Sequence, residues 1–496
     1  MYSVAFYTLG CKLNQLESEA LADSFRKAGF FIVPSGTPIP EPGIIIINTC
    51  TVTSKADQKS RRLIRKALRE NPDSCVIVTG CYAQLDSTEI ELLETEAAAG
   101  VSGNRSFDRR PNDHRSFDRR PFSRRLFVLG GGRGDSSDSA GAVKSAVLEL
   151  PEYVLKATAS MPESPLSGGL LPKVLETWIE QAKGEGPFSF KPEEFSFHSR
   201  GYLKIQDGCD NGCSYCRVYL ARGNSVSLPR EAALAELRSF EGRGCAELMI
   251  TGVNITQYNH CGLGLAGLLE CLLEGSASIA LRLASLEPEG INEKLVSVLA
   301  HPRIRPHFHL SVQSGSDTVL QRMGRAYRSQ TVEQGAALLR SVKDNPFLAC
   351  DIIAGFPGET EAEFEETLNL CEKIGFAWIH AFPYSKRPGT KAFSLKNPVC
   401  EREVTRRVEA LNAAALRGRR DYAQAWLGRE LSAIVEKAEP DSAGRRRAVT
   451  ENYLKVLVNC SADYSPGSSL RCVPVSLCAG ADGEQPDAIA VTDKSF

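Results

Sequence analysis

Between residues 199 and 383, candidate strands and candidate helices alternate at regular intervals. Apolar runs typical of buried strands are separated by amphipathic stretches typical of helices, and they lie at residues 202–206, 247–251, 281–285, 308–312, 348–353 and 378–383. Repeated strand–helix units place their strands side by side and parallel. Six units predict an open or partial (βα)6 barrel, a fold that carries its functional residues on the loops at the C-terminal ends of its strands.

The first of these strands leads directly into three closely spaced cysteines. Cys209, Cys213 and Cys216 have the spacing C-x₃-C-x₂-C. Three thiolates can hold three irons of a [4Fe–4S] cluster and leave the fourth iron open to a ligand. The alternatives are a zinc knuckle or reduced buried thiols, but structural zinc sites close with four ligands, and no fourth cysteine or histidine follows within a short loop. The pattern therefore favours an open iron–sulfur cluster.

Polar and glycine-containing loops follow the other strands of the predicted barrel. Thr251, Gly252 and Asn254 lie at the end of the second strand, Gln313 follows the fourth, and Asp351 lies on the fifth. Each of these loops alone is explained by a turn. Beside the cysteine triad, they together predict one site for a polar cofactor, at which glycine lets the backbone approach the ligand closely.

A second, dispersed set of cysteines lies in the N-terminal third. Cys11, Cys50 and Cys81 each follow the C-terminal end of a predicted strand, and a helix is predicted from Glu17 to Ala28. Strands that alternate with helices predict a parallel α/β sheet, in which ligands collect beyond the carboxyl ends of the strands. One such cysteine alone would be interpreted as a small buried hydrophobe, but three together favour a second cluster. The three predicted strands span residues 4–9, 44–48 and 75–79.

The remaining segments complete a four-part organisation. Residues 105–125 contain eight arginines and three aspartates, a local charge of 8 − 3 = +5, and repeat Arg-Ser-Phe-Asp-Arg-Arg-Pro at 105–111 and 115–121. We interpret this segment as a mobile surface insertion, with RNA phosphate binding as the alternative. Short strands after residue 430 predict a small β-barrel. The predicted parts are 1–104 (N-terminal α/β domain), 105–194 (insertion and linker), 195–425 (barrel) and 426–496 (C-terminal β-barrel).

Composition restricts the class of protein and its location. The 496 residues carry a net charge of −1, so any nucleic-acid contact must use local patches rather than the overall charge. No apolar run long enough to cross a membrane and no export signal appears in the sequence. Without export, sixteen cysteines are better interpreted as metal ligands and buried thiols than as disulfides. We expect a cytoplasmic protein without an obligate protein partner.

Nearly the whole sequence outside residues 105–195 resembles the radical SAM (S-adenosylmethionine) methylthiotransferase family. The resemblance rests on Lys204-Ile-Gln-Asp-Gly-Cys-Asp-Asn-Gly-Cys-Ser-Tyr-Cys216, Ala221-Arg-Gly223 and Tyr384-Ser-Lys-Arg-Pro-Gly-Thr390 in the centre. It rests equally on Thr8-Leu-Gly-Cys-Lys-Leu-Asn-Gln15 and Thr79-Gly-Cys-Tyr-Ala-Gln84. Arg217 and Tyr219 depart from the usual aliphatic residue and proline, and the C-terminal barrel is similar to the RNA-binding TRAM domain.

The resemblance implies two [4Fe–4S] clusters and S-adenosylmethionine as cofactors. Cys209, Cys213 and Cys216 would hold the cluster that binds S-adenosylmethionine and produces a radical, with Thr251–Asn254, Gln313 and Asp351 as candidate cofactor contacts. The ligands of the second cluster, which carries the sulfur to be inserted, would be Cys11, Cys50 and Cys81. All six cysteines are thus predicted as catalytic and metal-binding residues.

The sequence is most similar to the family branch that methylthiolates C2 of N6-threonylcarbamoyladenosine at position 37, next to the tRNA anticodon. The implied partners are the tRNA anticodon loop and an electron donor such as flavodoxin or ferredoxin. Two other branches, acting on isopentenyladenosine in tRNA and on a ribosomal-protein aspartate, remain alternatives. A non-catalytic RNA-binding protein with a structural metal is the alternative from a different class.

Overall fold

A computed structural model describes residues 3–33, 42–98, 124–130, 144–159, 170–459, 464–478 and 485–492. The chain divides into two compact units, Met1–Ser196 with Leu220–Gly223, and Phe197–Tyr219 with Asn224–Phe496. Among the described helices, none is long and apolar enough to cross a membrane. The Arg-Ser-Phe-Asp-Arg-Arg-Pro repeats lie outside the described residues.

The first unit is built on a parallel sheet of five strands in the order β2-β1-β3-β4-β5. β3 and β4 lie in the middle and are fully buried, as expected for continuous apolar runs covered on both faces. The elements are β1 (Ser3–Thr8), α1 (Lys12–Lys27), β2 (Phe31–Val33), β3 (Ile44–Thr49), α2 (Ser54–Glu70), β4 (Cys75–Gly80), α3 (Cys81–Leu85), α4 (Ser87–Ala98), β5 (Leu126–Val128), a 3₁₀ turn (Ala146–Leu148), α5 (Leu150–Thr158) and α6 (Leu170–Gln181).

The parallel sheet predicted for the N-terminal third is confirmed, with three differences. Helix α1 begins at Lys12 rather than Glu17, because Cys11 is its N-cap and its polar residues Asn14 and Glu17 are buried. The range predicted as insertion and linker contains β5, which pairs with β4, and helix α5. It also contains α6, which matches the one helix that the sequence predicts in this range, at residues 171–182. The domain boundaries at 104 and 194 stay a prediction. The range between them contains regular secondary structure in its described residues.

The second unit contains the six predicted barrel strands, as two three-stranded parallel sheets. Their orders are β12-β9-β6 and β13-β14-β15, and single parallel bridges join Leu281 to Ile304 and Leu286 to Leu310. In chain order, the elements of this part of the chain are β6 (Gly201–Lys204), β7 (Gln206–Asp207), α7 (Val218–Arg222, of which residues 220–222 belong to the first unit), β8 (Val226–Ser227), α8 (Arg230–Gly242), β9 (Glu247–Thr251), β10 (Asn259–His260), β11 (Leu263–Gly264), α9 (Leu265–Glu274), β12 (Ala280–Leu283), α10 (Glu293–Leu299), β13 (His307–Gln313), α11 (Asp317–Met323), α12 (Ser329–Val342), β14 (Phe347–Ala354), α13 (Glu361–Ile374), β15 (Trp378–Pro383) and α14 (Glu401–Ala425).

The chain then forms a closed five-stranded barrel in the order β16-β17-β18-β20-β19. The predicted small β-barrel is confirmed, although its last strand was missed. The strands are β16 (Leu431–Val435), β17 (Arg446–Thr450), β18 (Lys455–Asn459), β19 (Ser469–Leu477) and β20 (Ala488–Thr492). One hydrophobic core runs from Phe347 and Ala377 through Tyr422 and Trp426 into this barrel, so the two barrels share their packing.

Candidate active site

The N-terminal triad lies at one edge of the first unit's sheet. β1, β3 and β4 are neighbours, and their C-terminal ends lead to Cys11, Cys50 and Cys81. Cys11 caps α1 and Cys81 opens α3, while Cys50 follows β3 directly. Because parallel strands end at the same edge, three loops bring three thiols into one crevice.

Two glycines allow the backbone to bring these thiols together. Gly10 has φ = +109°, and a Cβ added there would lie 2.6 Å from Cβ and 2.9 Å from Sγ of Cys50. Gly80 has φ = +102°, and its Cβ would lie 2.2 Å from the carbonyl oxygen of Thr49. Both backbone conformations favour glycine, and neither position has room for a side chain. The glycines that precede Cys11 and Cys81 are therefore required by geometry.

The three N-terminal thiols act on one another electrostatically. Burial raises the pKa of Cys50 to about 12; Cys81 and Cys11 raise this pKa as well, whereas the Val52 amide and Arg222 lower it. The Val52 amide nitrogen lies 3.5 Å from Cys50 Sγ. A thiol of raised pKa needs compensating positive charge to become a thiolate, and bound metal supplies that charge. The donor set fits an iron–sulfur cluster.

Arg222 is part of this site in the first unit, although it follows Cys216 in the sequence. Its Nε donates a hydrogen bond to Cys81 Sγ at 3.3 Å. Its two terminal nitrogens donate to Glu17 Oε1 at 3.1 Å and to Asn14 Oδ1 at 3.1 Å. Glu17 is also paired with Lys144. A cationic side chain thus lies against one thiol of the triad, held by a buried carboxylate.

The central triad lies in the loop between β7 and β8, after the first barrel strand. Burial raises the pKa of Cys216 to about 12, the Val218 amide lowers it, and Cys213 and Cys209 raise it. The Val218 amide nitrogen donates to Cys216 Sγ at 3.3 Å. Burial also raises the pKa of Cys209. As in the first unit, three interacting thiols with N–H donors to sulfur fit an iron–sulfur cluster.

Arg325 contacts the central triad from the end of helix α11. Its Nη1 donates to Cys213 Sγ at 3.2 Å, and its Nε donates to the Tyr327 hydroxyl at 2.9 Å. Its Nη2 donates to the Ser311 carbonyl oxygen at 3.0 Å and pairs with Glu287. Burial raises the pKa of Glu287 to about 7, although Arg325 lowers it. The guanidinium group therefore joins a cysteine thiol to a buried carboxyl group.

The residues predicted as cofactor contacts fall into two groups. Burial raises the pKa of Cys209, and a hydrogen bond with the Asn254 side chain partly opposes this rise. The Asn254 backbone amide donates to Gln206 Oε1 at 2.9 Å. Thr251 and Gly252 lead into Asn254, and a Cβ at Gly252 would lie 2.9 Å from the Gln206 side chain and backbone. The structure therefore brings the second strand-end loop to the cysteine loop.

Gln313 and Asp351 form the other group, on strands β13 and β14. Gln313 has φ = +64°, a left-handed conformation at the end of its strand. Asp351 Oδ1 lies 3.0 Å from His309 Nε2 on the neighbouring strand. Asp351 also raises the pKa of Glu287, the partner of Arg325, so its charge acts on the region around the triad. Their role as cofactor contacts stays a prediction.

The triads differ from a single-ion site. In the described part of the chain, no group of three or more His, Cys, Asp or Glu side chains is arranged to hold one metal ion. A cluster has another requirement, because each thiolate binds a different iron. The assignment of the six cysteines as cluster ligands stays a prediction that the convergence of the thiols supports.

Comparison with known proteins gives the class of the chain. Residues 3–102 match the family described as "Uncharacterized protein family UPF0004", and residues 203–371 match the Radical SAM superfamily. The chain is therefore a radical SAM enzyme, and this class uses a [4Fe–4S] cluster and S-adenosylmethionine.

Two relatives narrow the class. The chain is 39% identical over 484 residues to the threonylcarbamoyladenosine tRNA methylthiotransferase MtaB of Treponema pallidum, with 95% of this chain and 98% of the relative covered. It is 32% identical over 439 residues to the protein of the same name from Thermotoga maritima, with 88% and 87% covered. The chain belongs to the radical SAM methylthiotransferase family.

Among solved structures, the radical S-adenosylmethionine methyltransferase TsrM from Kitasatospora setae aligns with a TM-score of 0.47 at 13% identity. The alignment covers 79% of this chain and 77% of that chain. A likeness at this level supports no conclusion about the site.

Sequence reasoning missed three residues that contact the triads or their loops. Arg222 and Arg325 lie 141 and 112 positions away from the cysteines that they contact, so cysteine spacing does not reveal them. The motif Ala221-Arg-Gly223 was the available signal for Arg222. Gln206 is fully buried and its Nε2 donates to the carbonyl oxygens of Asp207 and Gly208 at 2.9 and 2.7 Å. An uncharged polar residue in a strand directly before the cysteines was the available signal for Gln206.

Proposed function

We propose that this enzyme inserts a methylthio group at C2 of N6-threonylcarbamoyladenosine at position 37 of tRNA, next to the anticodon. The observation that carries the proposal is the presence of two cysteine triads, one collected at the C-terminal ends of three parallel strands and the other in the single loop that follows the first barrel strand. One triad accounts for a radical SAM cluster and the second for sulfur supply. The substrate branch is supported by the N-terminal motifs and by the names of the two relatives.

The central triad would hold the first cluster. When bound, this cluster and S-adenosylmethionine supply radical chemistry, which the reaction needs because no side-chain base can remove an aromatic C2 hydrogen. Cys209, Cys213 and Cys216 would hold three irons, and Asn254 and Arg325 donate hydrogen bonds to two of the sulfurs. These donors orient the thiols and stabilise their charge. Flavodoxin or ferredoxin is the proposed electron donor.

The N-terminal triad would hold a second [4Fe–4S] cluster, which supplies the sulfur that is inserted. Cys50 and Cys81 are buried, with 5% and 8% exposure, whereas Cys11 is exposed. The triad is thus enclosed on the sheet side and accessible at Cys11. A site open on one side suits a reaction with a large substrate.

Helix α2 supplies positive charge for the RNA backbone. It has seven Lys or Arg residues and two acidic residues, a local charge of 7 − 2 = +5, and begins just after Cys50. Lys55, Lys59 and Arg62 are exposed, and in the described part of the chain no carboxylate lies within ion-pair distance of them. Their i, i+4, i+7 spacing places them on one helix face. Because phosphates dominate RNA affinity, this face is a candidate tRNA contact near the N-terminal triad.

Cluster content tests the two-triad proposal. Anaerobic reconstitution of the wild-type chain is expected to give two [4Fe–4S] clusters by iron and sulfide analysis and by electron paramagnetic resonance (EPR). Replacing Cys11, Cys50 and Cys81 by alanine should remove one cluster, and the same change at Cys209, Cys213 and Cys216 should remove the other. Cys75→Ala is the matched control, because Cys75 is a buried cysteine at the opposite end of β4. Iron content that is unchanged in the first triple variant would reject the second cluster.

Nucleoside analysis tests the substrate. The tRNA of a strain lacking this gene is digested and the nucleosides are weighed by mass spectrometry, with and without the wild-type gene on a plasmid. We expect 2-methylthio-N6-threonylcarbamoyladenosine to disappear and its unthiolated precursor to accumulate. Loss of the methylthio form of isopentenyladenosine instead would assign the enzyme to the other tRNA branch.

A further inference from the structure

The two triads share an arrangement that cluster binding alone does not require. In each triad one thiol accepts a hydrogen bond from an arginine: Cys81 from Arg222 at 3.3 Å and Cys213 from Arg325 at 3.2 Å. Both arginine side chains are buried, with exposures of 6% and 4%. The same relationship thus occurs independently in two unrelated folds of one chain.

Each arginine is held in place by a buried glutamate and by neutral acceptors. Arg222 is paired with Glu17, whose side chain is 1% exposed, and it also donates to Asn14. Arg325 is paired with Glu287, whose side chain is 11% exposed, and it also donates to Ser311. A buried guanidinium group is costly unless its donors are satisfied. Here the glutamates fix the arginines while leaving one N–H of each directed at sulfur.

A charged N–H donor at a cluster sulfur has a defined physical effect. One-electron reduction adds negative charge to a cluster and its thiolates, and a nearby cation stabilises the reduced form more than the oxidised form. Hydrogen bonds to sulfur and the net charge around it are the quantities through which a protein sets cluster potential. Hydrogen bonds from charged donors are about twice as strong as neutral ones.

We propose that Arg222 and Arg325 are positioning residues that set the reduction potentials of the two clusters separately, Arg222 at the N-terminal triad and Arg325 at the central triad. This inference rests on the proposed function, because it needs a cluster at each triad. Each arginine raises the potential of its own cluster through one N–H···S hydrogen bond and its positive charge. Because the two reduction potentials are set separately, one cluster can be reduced while the other stays oxidised.

The test isolates one cluster at a time. In the full-length chain with Cys209, Cys213 and Cys216 replaced by alanine, only the N-terminal cluster can form; replacing Cys11, Cys50 and Cys81 leaves only the central one. The midpoint potential of the remaining cluster is measured by redox titration followed by EPR. Arg222→Gln is expected to shift the N-terminal cluster to a more negative potential and to leave the central cluster unchanged. Arg325→Gln is expected to do the reverse.

Matched controls separate this effect from general loss of an ion pair. Arg61 donates to the Tyr82 hydroxyl at 2.8 Å and to Glu89 at 3.0 Å. Tyr82 follows Cys81 in the sequence, so Arg61 lies near this triad, but these two hydrogen bonds go to oxygen atoms and not to the Cys81 sulfur. Arg322 pairs with Glu363 at 2.8 Å, and its carbonyl oxygen accepts a hydrogen bond from Ser214, which lies between Cys213 and Cys216. Arg61→Gln and Arg322→Gln should leave both potentials unchanged. Arg222→Lys and Arg325→Lys keep the positive charge, so we expect a smaller shift in midpoint potential than in the glutamine variants. These lysine variants provide the test if a glutamine variant fails to fold.

The outcomes distinguish this inference from the proposed function. Fully loaded Arg222→Gln and Arg325→Gln variants with wild-type potentials would overturn the inference and leave two clusters in place. A lower melting temperature with unchanged potentials would assign the arginines a purely structural role, which also overturns it. Failure of the N-terminal triad to assemble a cluster with Arg222 intact would instead overturn the proposed function.

Discussion

Arg282 donates two hydrogen bonds to Glu247, from Nε at 2.7 Å and from Nη2 at 3.0 Å, and neither side chain is more than 2% exposed. Arg305 donates to the same carboxylate at 2.8 Å, and Arg200 lies 3.6 Å from it. Arg282 also donates to the Thr450 carbonyl oxygen at 3.1 Å. Glu247 begins β9, so this network lies at the N-terminal ends of the strands, where residues serve stability rather than chemistry.

Removing the Glu247 charge should therefore destabilise the second unit without changing its cluster. Glu247→Gln leaves three arginines around an uncharged group, and breaking a buried ion pair in this way costs about 3–5 kcal/mol. We expect a lower urea midpoint and unchanged iron content in the folded protein. Glu451→Gln is the control, since Glu451 is 32% exposed and pairs with Arg305 at 3.3 Å. An equal decrease of the urea midpoint in both variants would contradict the conclusion that the buried Glu247 carboxylate stabilises the second unit more than the partly exposed Glu451 does.

The same carboxylate should make stability depend on pH in acid. Burial by itself raises the pKa of Glu247, but Arg282, Arg200 and Arg305 outweigh burial and lower it from 4.5 to about 2. Because the folded pKa lies below the unfolded one, the stabilisation is complete above pH 4.5 and is lost as pH falls toward 2. The linkage amounts to about 3 kcal/mol. Urea unfolding of wild type and Glu247→Gln between pH 6 and pH 3 should show the difference between them shrinking; a constant difference would reject this explanation.

Gly10→Ala should disturb the N-terminal triad in particular. The variant must adopt φ = +109° and place a Cβ 2.6 Å from Cβ of Cys50, so Cys50 has to move. Gly29→Ala is the control, because it has φ = +85° but no atom within 4 Å of the added Cβ. Both changes carry backbone strain of about 1–3 kcal/mol. Only Gly10→Ala should lower the iron content of the N-terminal triad, as measured in the variant that lacks Cys209, Cys213 and Cys216.

Neutralising the exposed face of α2 should weaken tRNA binding in a salt-dependent way. If this face binds tRNA as proposed, replacing Lys55, Lys59 and Arg62 by glutamine removes up to three phosphate contacts and should reduce the slope of log affinity against log salt by about 2–3. Filter binding or fluorescence anisotropy with unmodified tRNA at several salt concentrations measures the slope. The control removes equal charge from other exposed lysines of the same unit, Lys156, Lys173 and Lys191. Equal slopes for both triple variants would exclude α2 as an RNA contact.

Strand pattern predicted most of the framework because central strands such as β3 and β4 are fully buried and mostly apolar. The ends of β9 and β15 match the predicted ranges, and the three N-terminal cysteines follow strand ends as expected. Short elements were missed for a physical reason. β5 has three residues and becomes a strand only by pairing with β4, and β20 joins the last barrel through partners that are distant in sequence.

The polar part of the site was less predictable than its cysteines. The predicted helix starts at Glu17 and leaves out Asn14, yet both residues lie in α1, are buried and accept hydrogen bonds from Arg222. Such residues look like surface positions in a sequence, because burial of a charge depends on a partner that is distant in the chain. Spacing predicted the six cluster cysteines, and only the folded chain identified the groups that contact them.

The short segment Leu220–Gly223 belongs to the first unit although both of its neighbours in sequence belong to the second. An N-terminal fragment ending at Ser196 would therefore keep Cys11, Cys50 and Cys81 but lose the arginine that contacts Cys81. The two units cannot be exchanged between proteins as independent modules without altering that site. A chimaera that keeps this contact therefore has to take the N-terminal domain and the segment Leu220–Gly223 from the same protein.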